Sequence, residues 1–196
     1  ENCAKSAYIF YKSFVSGRCF MTNSRTAEMA KLTENAFRDV NIAFANEISM
    51  ICDELDVNTR ELIALSNRHP RVNILSPGPG VGGHCIAVDP YFLISQSKDN
   101  STLMQAARQV NQKKVDWVMN KVKNYSETFV SSSKLTIACF GLAFKADVDD
   151  LRESPALEIA KRINSEISCN LLLVEPNLAF LPDDTGLKIE LSDSSF

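Results

Sequence analysis

Apolar residues recur at helical spacing over two long stretches of the chain and cluster at strand-like density in two short runs near its end. From Ser24 onward, Leu32, Ala36, Val40, Ala43, Phe44, Ile48, Ile51 and Leu55 follow a 3.6-residue period. This predicts one helix to about Leu55 with those side chains as its buried stripe. Leu103, Ala107, Val110, Val118, Val122 and Phe129 predict a second long helix. Between the two, Asn58 and Glu61 have capping-box spacing, so a shorter helix is expected from there to Pro70. Asn2 to Val15 reads as an amphipathic helix and Arg18 to Thr22 as a strand-like run. The polar patch Ser131-Ser132-Ser133 marks the expected domain boundary. Beyond it, Leu135 to Phe140 and Leu171 to Val174 read as buried strands, with Ser154-Pro155 as N-cap and first residue of a helix between them. Strand, helix, strand in that order predicts a right-handed unit opening a parallel sheet. The expected fold class is α/β: an all-helical central domain over 24–130, then an incomplete Rossmann-like parallel βαβ domain over 134–196.

Composition narrows the class. A chain of 196 residues with 45% hydrophobic residues and a formal net charge of −3 fits a globular protein and argues against a nucleic-acid partner. Its six cysteines (Cys3, Cys19, Cys52, Cys85, Cys139 and Cys169) are scattered, with no Cys-x-x-Cys pair and no histidine cluster, so neither a metal site nor a redox pair is expected. Cys52, Cys139 and Cys169 lie in apolar runs and read as core residues. No signal peptide or long apolar span is present, which makes the cytoplasm the expected location and a membrane an unexpected partner.

Cys85 stands apart. It leaves a loop of glycine and proline, Pro77-Gly78-Pro79-Gly80-Val81-Gly82-Gly83-His84-Cys85, with Asp89-Pro90 four residues on. Glycines permit positive φ and close approach of a ligand, and the prolines stiffen the path. An ordinary tight turn with an incidental cysteine is the plainer reading of that loop alone. A second group upstream changes the balance: Lys31 and Asn35 lie one turn apart on the first long helix, and Asn35 and Asn41 are poor helix formers in a segment that otherwise favours helix. Taken singly, Lys31 is a solvated lysine and Asn35 a residue facing water.

Lys31-Leu32-Thr33-Glu34-Asn35, Gly82-Gly83-His84-Cys85-Ile86-Ala87-Val88-Asp89-Pro90, and Phe140-Gly141-Leu142-Ala143-Phe144-Lys145-Ala146-Asp147 with Asp150-Leu151-Arg152-Glu153-Ser154-Pro155 together resemble the nucleotide-sugar 6-dehydrogenases. The first two motifs, with Arg68-His69-Pro70-Arg71, most resemble members acting on UDP-N-acetylhexosamines, UDP-N-acetyl-D-mannosamine in particular. The resemblance implies oxidation of a sugar's C6 alcohol to a carboxylate in two steps, with two NAD molecules reduced. Within it, Cys85 is the nucleophile, Lys31 and Asn35 stabilise the oxyanion and Asp89 assists proton transfer and water activation. Arg71 corresponds to an arginine reaching the sugar nucleotide across a dimer interface. Gly82, Phe144 and Lys145 fall at substrate-binding positions, and Arg152 lies near the cofactor. A salt bridge of Arg152 with Asp149 or Glu153 competes with that role. Val88 stands where UDP-glucose-acting members often carry lysine. His84 is left a positioning role at most, and His69 a place at a helix end.

No Gly-x-Gly-x-x-Gly follows a hydrophobic strand, so the dinucleotide fingerprint is absent. Residues 1–23 resemble the end of the family's NAD-binding domain, which makes the chain a fragment expected to be incapable of hydride chemistry alone. The long helix is expected to pair in a homodimer; packing against the segment from Leu103 to Phe129 is the alternative. Part of an NAD-dependent UDP-sugar dehydrogenase is thus one expectation, with UDP-N-acetylglucosamine, UDP-glucose or GDP-mannose as other substrates. A non-catalytic dimerisation and nucleotide-sugar-binding module is the second.

Overall fold

The computed structural model describes residues 2–128, 134–187, 189 and 191. Eight principal elements follow in order: α1 (Asn2–Lys12), α2 (Ser24–Glu54), α3 (Thr59–Ser66), α4 (Asp89–Gln96), α5 (Thr102–Thr128), β1 (Thr136–Phe140), α6 (Pro155–Glu166) and β2 (Asn170–Val174). Helices α2 and α5 pack together with α3 and α4 alongside, and the β1–α6–β2 unit follows. The expected α/β class is therefore present, helical part first. Phe129 and the Ser131–Ser133 patch lie outside the described residues.

Helix α2 starts where Asn23 Oδ1 accepts the Thr26 N–H at 2.9 Å, satisfying a donor the first turn would leave bare. Its buried face differs from the expected stripe. Phe44, Ile51 and Leu55 are 49%, 43% and 68% exposed, and Leu32, Val40 and Ile48 only half-buried. The residues that α2 buries, against α5 and α4, are Asn35, Ala36, Asp39, Ala43, Ala45, Asn46, Ser49, Met50 and Cys52. Small and polar side chains let two helix backbones approach and exchange hydrogen bonds, which rotates the large apolar residues outward. Helix α5 answers in kind, burying Ala107, Arg108, Asn111, Lys114, Val115 and Met119 and leaving Leu103 exposed.

Asn58 caps α3 by accepting from Arg60 N–H and Glu61 N–H, and the helix stops at Ser66, four residues short of Pro70. Arg18 to Thr22 forms no strand, because an extended run needs a neighbour for its backbone groups and none of the described residues pairs with it. Helix α1 ends at Lys12 and buries no residue.

Strands β1 and β2 are parallel, with Thr136 opposite Asn170 and Phe140 opposite Val174. Leu191 bridges Leu173 from the other side, so β2 is paired on both flanks and buried. β1 departs from expectation: Thr136, Ala138 and Phe140 are exposed, and only Ile137 and Cys139 turn toward the core. That core comprises Val115 and Met119 of α5, Leu157, Ile159, Ala160 and Ile163 of α6, and Leu171 and Leu173 of β2. Each such leucine or isoleucine contributes about 1.5–3 kcal/mol on burial. Ion pairs reinforce the junction, Arg162 holding Asp116 at 2.7 Å and Lys123 holding Glu166 at 2.5 Å across α5 and α6. Cys52 is buried, and burial pushes up the thiols of half-buried Cys139 and Cys169. No described helix is long and apolar enough to cross a membrane.

Candidate active site

Asn35 and Asp89 lie 54 residues apart in sequence and meet, Asn35 Nδ2 donating to Asp89 Oδ2 at 2.6 Å. Asn35 is buried on α2, contrary to its plainer reading as a residue facing water. Asp89 opens α4, where the unpaired N–H groups of the first turn favour a carboxylate. Cys85 is half-buried one turn earlier, its carbonyl accepting the Val88 and Asp89 N–H groups at 3.0 and 2.8 Å. Lys31, one turn before Asn35, is 64% exposed and holds Glu34 at 3.4 Å. Its side chain contributes a mobile positive charge rather than a locked donor. His84 points into solvent, and Arg71 is exposed, its own N–H donating to His69 Nδ1 at 3.3 Å.

The glycines of the cysteine loop have a different use from the one expected. A Cβ on Gly82 would press against the Glu153 carbonyl oxygen and lie 2.9 Å from both Phe144 Cβ and Pro155 Cδ. Gly83, at φ 82°, is in the left-handed region; a Cβ there would meet the Phe144 ring at 2.9 Å, and its N–H donates to the Arg152 carbonyl at 3.0 Å. The close approach is thus to the chain's own βαβ unit. Gly82 itself does not take positive φ, and neither does Gly78, where a Cβ would have ordinary space. Glu153 in turn is held at φ 51°, a conformation that is costly for a residue with a Cβ and that sets this corner. Gly82→Ala is expected to lose about 1–3 kcal/mol of stability by overpacking against unyielding backbone. Urea denaturation of variant and parent checks it.

Across that junction lies a cavity of about 440 Å³ walled by Pro79 and Gly80 on one side and by Phe144, Lys145, Asp147 and Glu175 on the other. Its floor, the turn from Gly141 to Lys145, leaves the carboxyl end of β1, the place where ligands meet such sheets. Glu175, read from sequence only as a turn residue, is the clamp of that turn. It is buried, its Oε2 accepts Leu142 and Ala143 N–H at 2.7 and 3.0 Å, and its Oε1 accepts Asn177. Burial by itself would raise the Glu175 pKa, but these backbone N–H bonds outweigh it and hold the carboxyl below its ordinary 4.5. A depressed carboxylate stabilises above the unfolded pKa and loses that contribution as pH falls through the folded one. The Tm of Glu175→Gln should therefore lie below the parent's at neutral pH, with the gap narrowing below about pH 4.5; thermal melts across pH 3–7 read this.

Arg152 is exposed and paired with Asp150, not with Asp149 or Glu153; its Nε donates at 3.0 Å and its Nη2 at 2.6 Å. Those bonds hold the Asp150 carboxyl at about 2 and push the guanidinium up. The Arg152 main chain lies beside the thiol loop, its carbonyl accepting the Gly83 N–H at 3.0 Å. The sequence has no Gly-x-Gly-x-x-Gly, so neither described strand leads into a dinucleotide's pyrophosphate turn.

A polar cluster that the sequence did not reveal underlies all of this. Asp39 Oδ1 accepts from Arg108 Nη1 at 2.7 Å and from Asn111 Nδ2 at 2.8 Å, and Asn46 Nδ2 donates to Asn111 Oδ1 at 2.9 Å. Lys114 donates to Ser49 at 2.6 Å beside the Trp117 ring. Burial raises the Asp39 pKa against the opposing pull of Arg108 and Asn111, and lowers that of Lys114.

A helical domain carrying a thiol loop is thus joined to a βαβ unit with a cavity at its strand ends. Residues 25–113 match the UDP-glucose/GDP-mannose dehydrogenase family, central domain, and residues 138–194 match that family's UDP binding domain. The chain belongs to this family. It is 57% identical over 191 residues to the UDP-N-acetyl-D-mannosamine dehydrogenase of Escherichia coli K12, covering 94% of this chain and 46% of that protein. It is 56% identical over 180 residues to the NDP-N-acetyl-D-galactosaminuronic acid dehydrogenase of Ralstonia solanacearum, covering 92% and 42%. Among solved structures, the UDP-D-ManNAc dehydrogenase of Pyrococcus horikoshii superposes with a TM-score of 0.83 at 39% identity, covering all of this chain and 44% of that one. The chain thus spans about half the length of the curated relatives it matches.

Proposed function

We propose that this chain supplies the thiol-bearing and sugar-nucleotide-binding parts of an NAD-dependent dehydrogenase that oxidises UDP-N-acetyl-D-mannosamine at C6 to its uronate, in the cytoplasm. The observation that carries the reading is the Asn35–Asp89 bond, which ties the helix bearing Lys31 to the turn bearing Cys85. Each of the two oxidations would need one NAD to take up one hydride, at a site that the described residues do not by themselves form.

Once the C6 aldehyde is present, the Cys85 thiolate adds to its carbon, forming a C–S bond and an oxyanion. Asn35, held by Asp89, offers a preorganised donor to that charge, worth about 3 kcal/mol, and Lys31 adds its positive charge. After the second oxidation the carbon is a thioester. Water adds to it, the C–S bond breaks, and the thiol returns with the carboxylate released. Asp89, at the head of α4, accepts the water's proton, while Asn35 fixes its orientation. Phe144 and Lys145 hold the nucleotide sugar in the cavity at β1, Lys145 opposite its phosphates, and Gly82 contributes by giving Phe144 and Pro155 room to pack. Arg152, whose carbonyl holds the thiol loop at Gly83, is assigned to the cofactor, and exposed Arg71 to the sugar nucleotide of a partner's site.

The exposed apolar residues Phe37, Phe44 and Ile51 of α2, with Leu55 just past its end, support a homodimer through this helix. Phe44→Glu should then shift the sedimentation mass from dimer toward monomer.

The full-length protein tests the function directly. Two NADH formed per UDP-N-acetyl-D-mannosamine is the expected result. Two with an N-acetylgalactosamine, N-acetylglucosamine, glucose or GDP-mannose substrate instead would correct the sugar, and none with any would leave a binding module.

A further inference from the structure

We propose that the buried Asp39–Arg108–Asn111–Asn46 cluster is a positioning frame for the cysteine loop, anchoring it at both ends and so setting where Cys85 and Asp89 stand. The inference rests on the proposed dehydrogenase reading for its kinetic arm. At the near end of the loop, the Gly78 N–H donates to Asn46 Oδ1 at 2.9 Å, and Asn46 hands its own Nδ2 to Asn111. At the far end, two residues past Asp89, the Tyr91 ring lies under the Arg108 guanidinium at 5.4 Å, and its hydroxyl accepts from Gln112 at 3.2 Å. Both ends therefore converge on Asp39, whose Oδ1 takes Arg108 and Asn111 together and whose main-chain carbonyl takes Asn111 again at 3.2 Å.

The geometry needs these side-chain types. Asn46 accepts from one backbone and donates to another side chain at once, which an aspartate or an aliphatic residue cannot do. Asp39 sits one turn after Asn35 on the same face of α2, so one helix surface carries both the direct contact to Asp89 and the frame beneath it. Asp39, Asn46 and Asn111 are at most 2% exposed, and Arg108 is 7% exposed. A packed hydrogen-bonded group of this kind has few alternative arrangements, unlike a glycine loop left to itself. Asn46 and Tyr91 are thus positioning residues; neither needs to touch substrate.

The test is Asn46→Ala and Tyr91→Leu in the full-length protein, with two readouts. Steady-state kinetics with UDP-N-acetyl-D-mannosamine should show kcat falling about 10–100-fold for Asn46→Ala, since a displacement near 1 Å of a reacting group costs up to about that much. KM should stay within about twofold, because the nucleotide cavity is walled mainly by the other unit. The rate of Cys85 alkylation by iodoacetamide, read peptide by peptide, should change by about threefold or more while that of exposed Cys3 does not. Tyr91→Leu should move both readouts the same way by a smaller factor, and it decides alone if Asn46→Ala fails to fold. Unchanged kcat and alkylation in the folded variant, or KM rising as far as kcat falls, overturns the frame. A parent protein that makes no NADH with any nucleotide sugar would instead sink the dehydrogenase reading, and the alkylation readout would still judge the frame.

Discussion

Cys85→Ser should lower acid formation from the nucleotide sugar by about 10³-fold or more while leaving its affinity within about twofold. The reason is chemical and geometric at once. A serine hydroxyl holds its proton far more tightly than a thiol, so residue 85 would no longer present an anionic nucleophile to the aldehyde. The nucleotide cavity, lined by Phe144, Lys145 and Glu175, stays intact in the variant. Calorimetric titration of UDP-sugar into both proteins, beside NADH counting, separates the two effects. Normal turnover by the serine variant would remove Cys85 from the chemistry, and lost binding would mean that the thiol's place in the turn is structural.

The second large effect concerns stability. Asp39→Ala strips the partner from a guanidinium that is 8% exposed, leaving Arg108 charged, desolvated and short of acceptors. Removing one member of a buried pair costs about 3–5 kcal/mol. Asn111 loses its bond to Asp39 Oδ1 in the same stroke and keeps, of its two to that residue, only the one to the main-chain carbonyl. Chemical denaturation should register the loss, and Asp39→Ala with Arg108→Met together should recover a good part of it, because the second change removes the stranded charge. A double variant no better than the single one would show that Arg108 finds another acceptor.

The parts of this molecule legible in the sequence are those set by local rules. Helical periodicity located α2 and α5, Ser154-Pro155 marked the start of α6, and Ser154 Oγ does accept the Leu157 N–H there. The order of strand, helix and strand predicted the parallel pair. Which face of a helix is buried was not legible, because partners 65 to 72 residues away decide it. Polar residues inside a helical segment read as a solvated face, so Asp39, Asn46, Arg108 and Asn111 went unremarked. A signal was there, however: Asn35, Asp39, Ala43, Asn46 and Met50 repeat at intervals of three and four, a core period written partly in polar letters. The strand-like run at Arg18 to Thr22 failed for the complementary reason, since a strand is defined by its neighbour. Glu175 was passed over because nothing in a lone acid before proline shows that two backbone N–H groups 32 and 33 residues upstream will converge on it.

The seating of Phe144, Glu153 and Pro155 in the hollows of Gly80, Gly82 and Gly83 has a consequence for recombination among relatives. The two halves meet as a key and its lock, and the lock is cut in the first half. A chimera spliced in the serine patch would join a key from one parent to a lock from another, and any difference in the size or path of residues 144 and 152–155 would be felt at residues 80–83, next to the thiol. Substrate range should therefore transfer between relatives only when residues 78–84 travel with the C-terminal unit, even though 50 residues of sequence separate the two pieces on the chain.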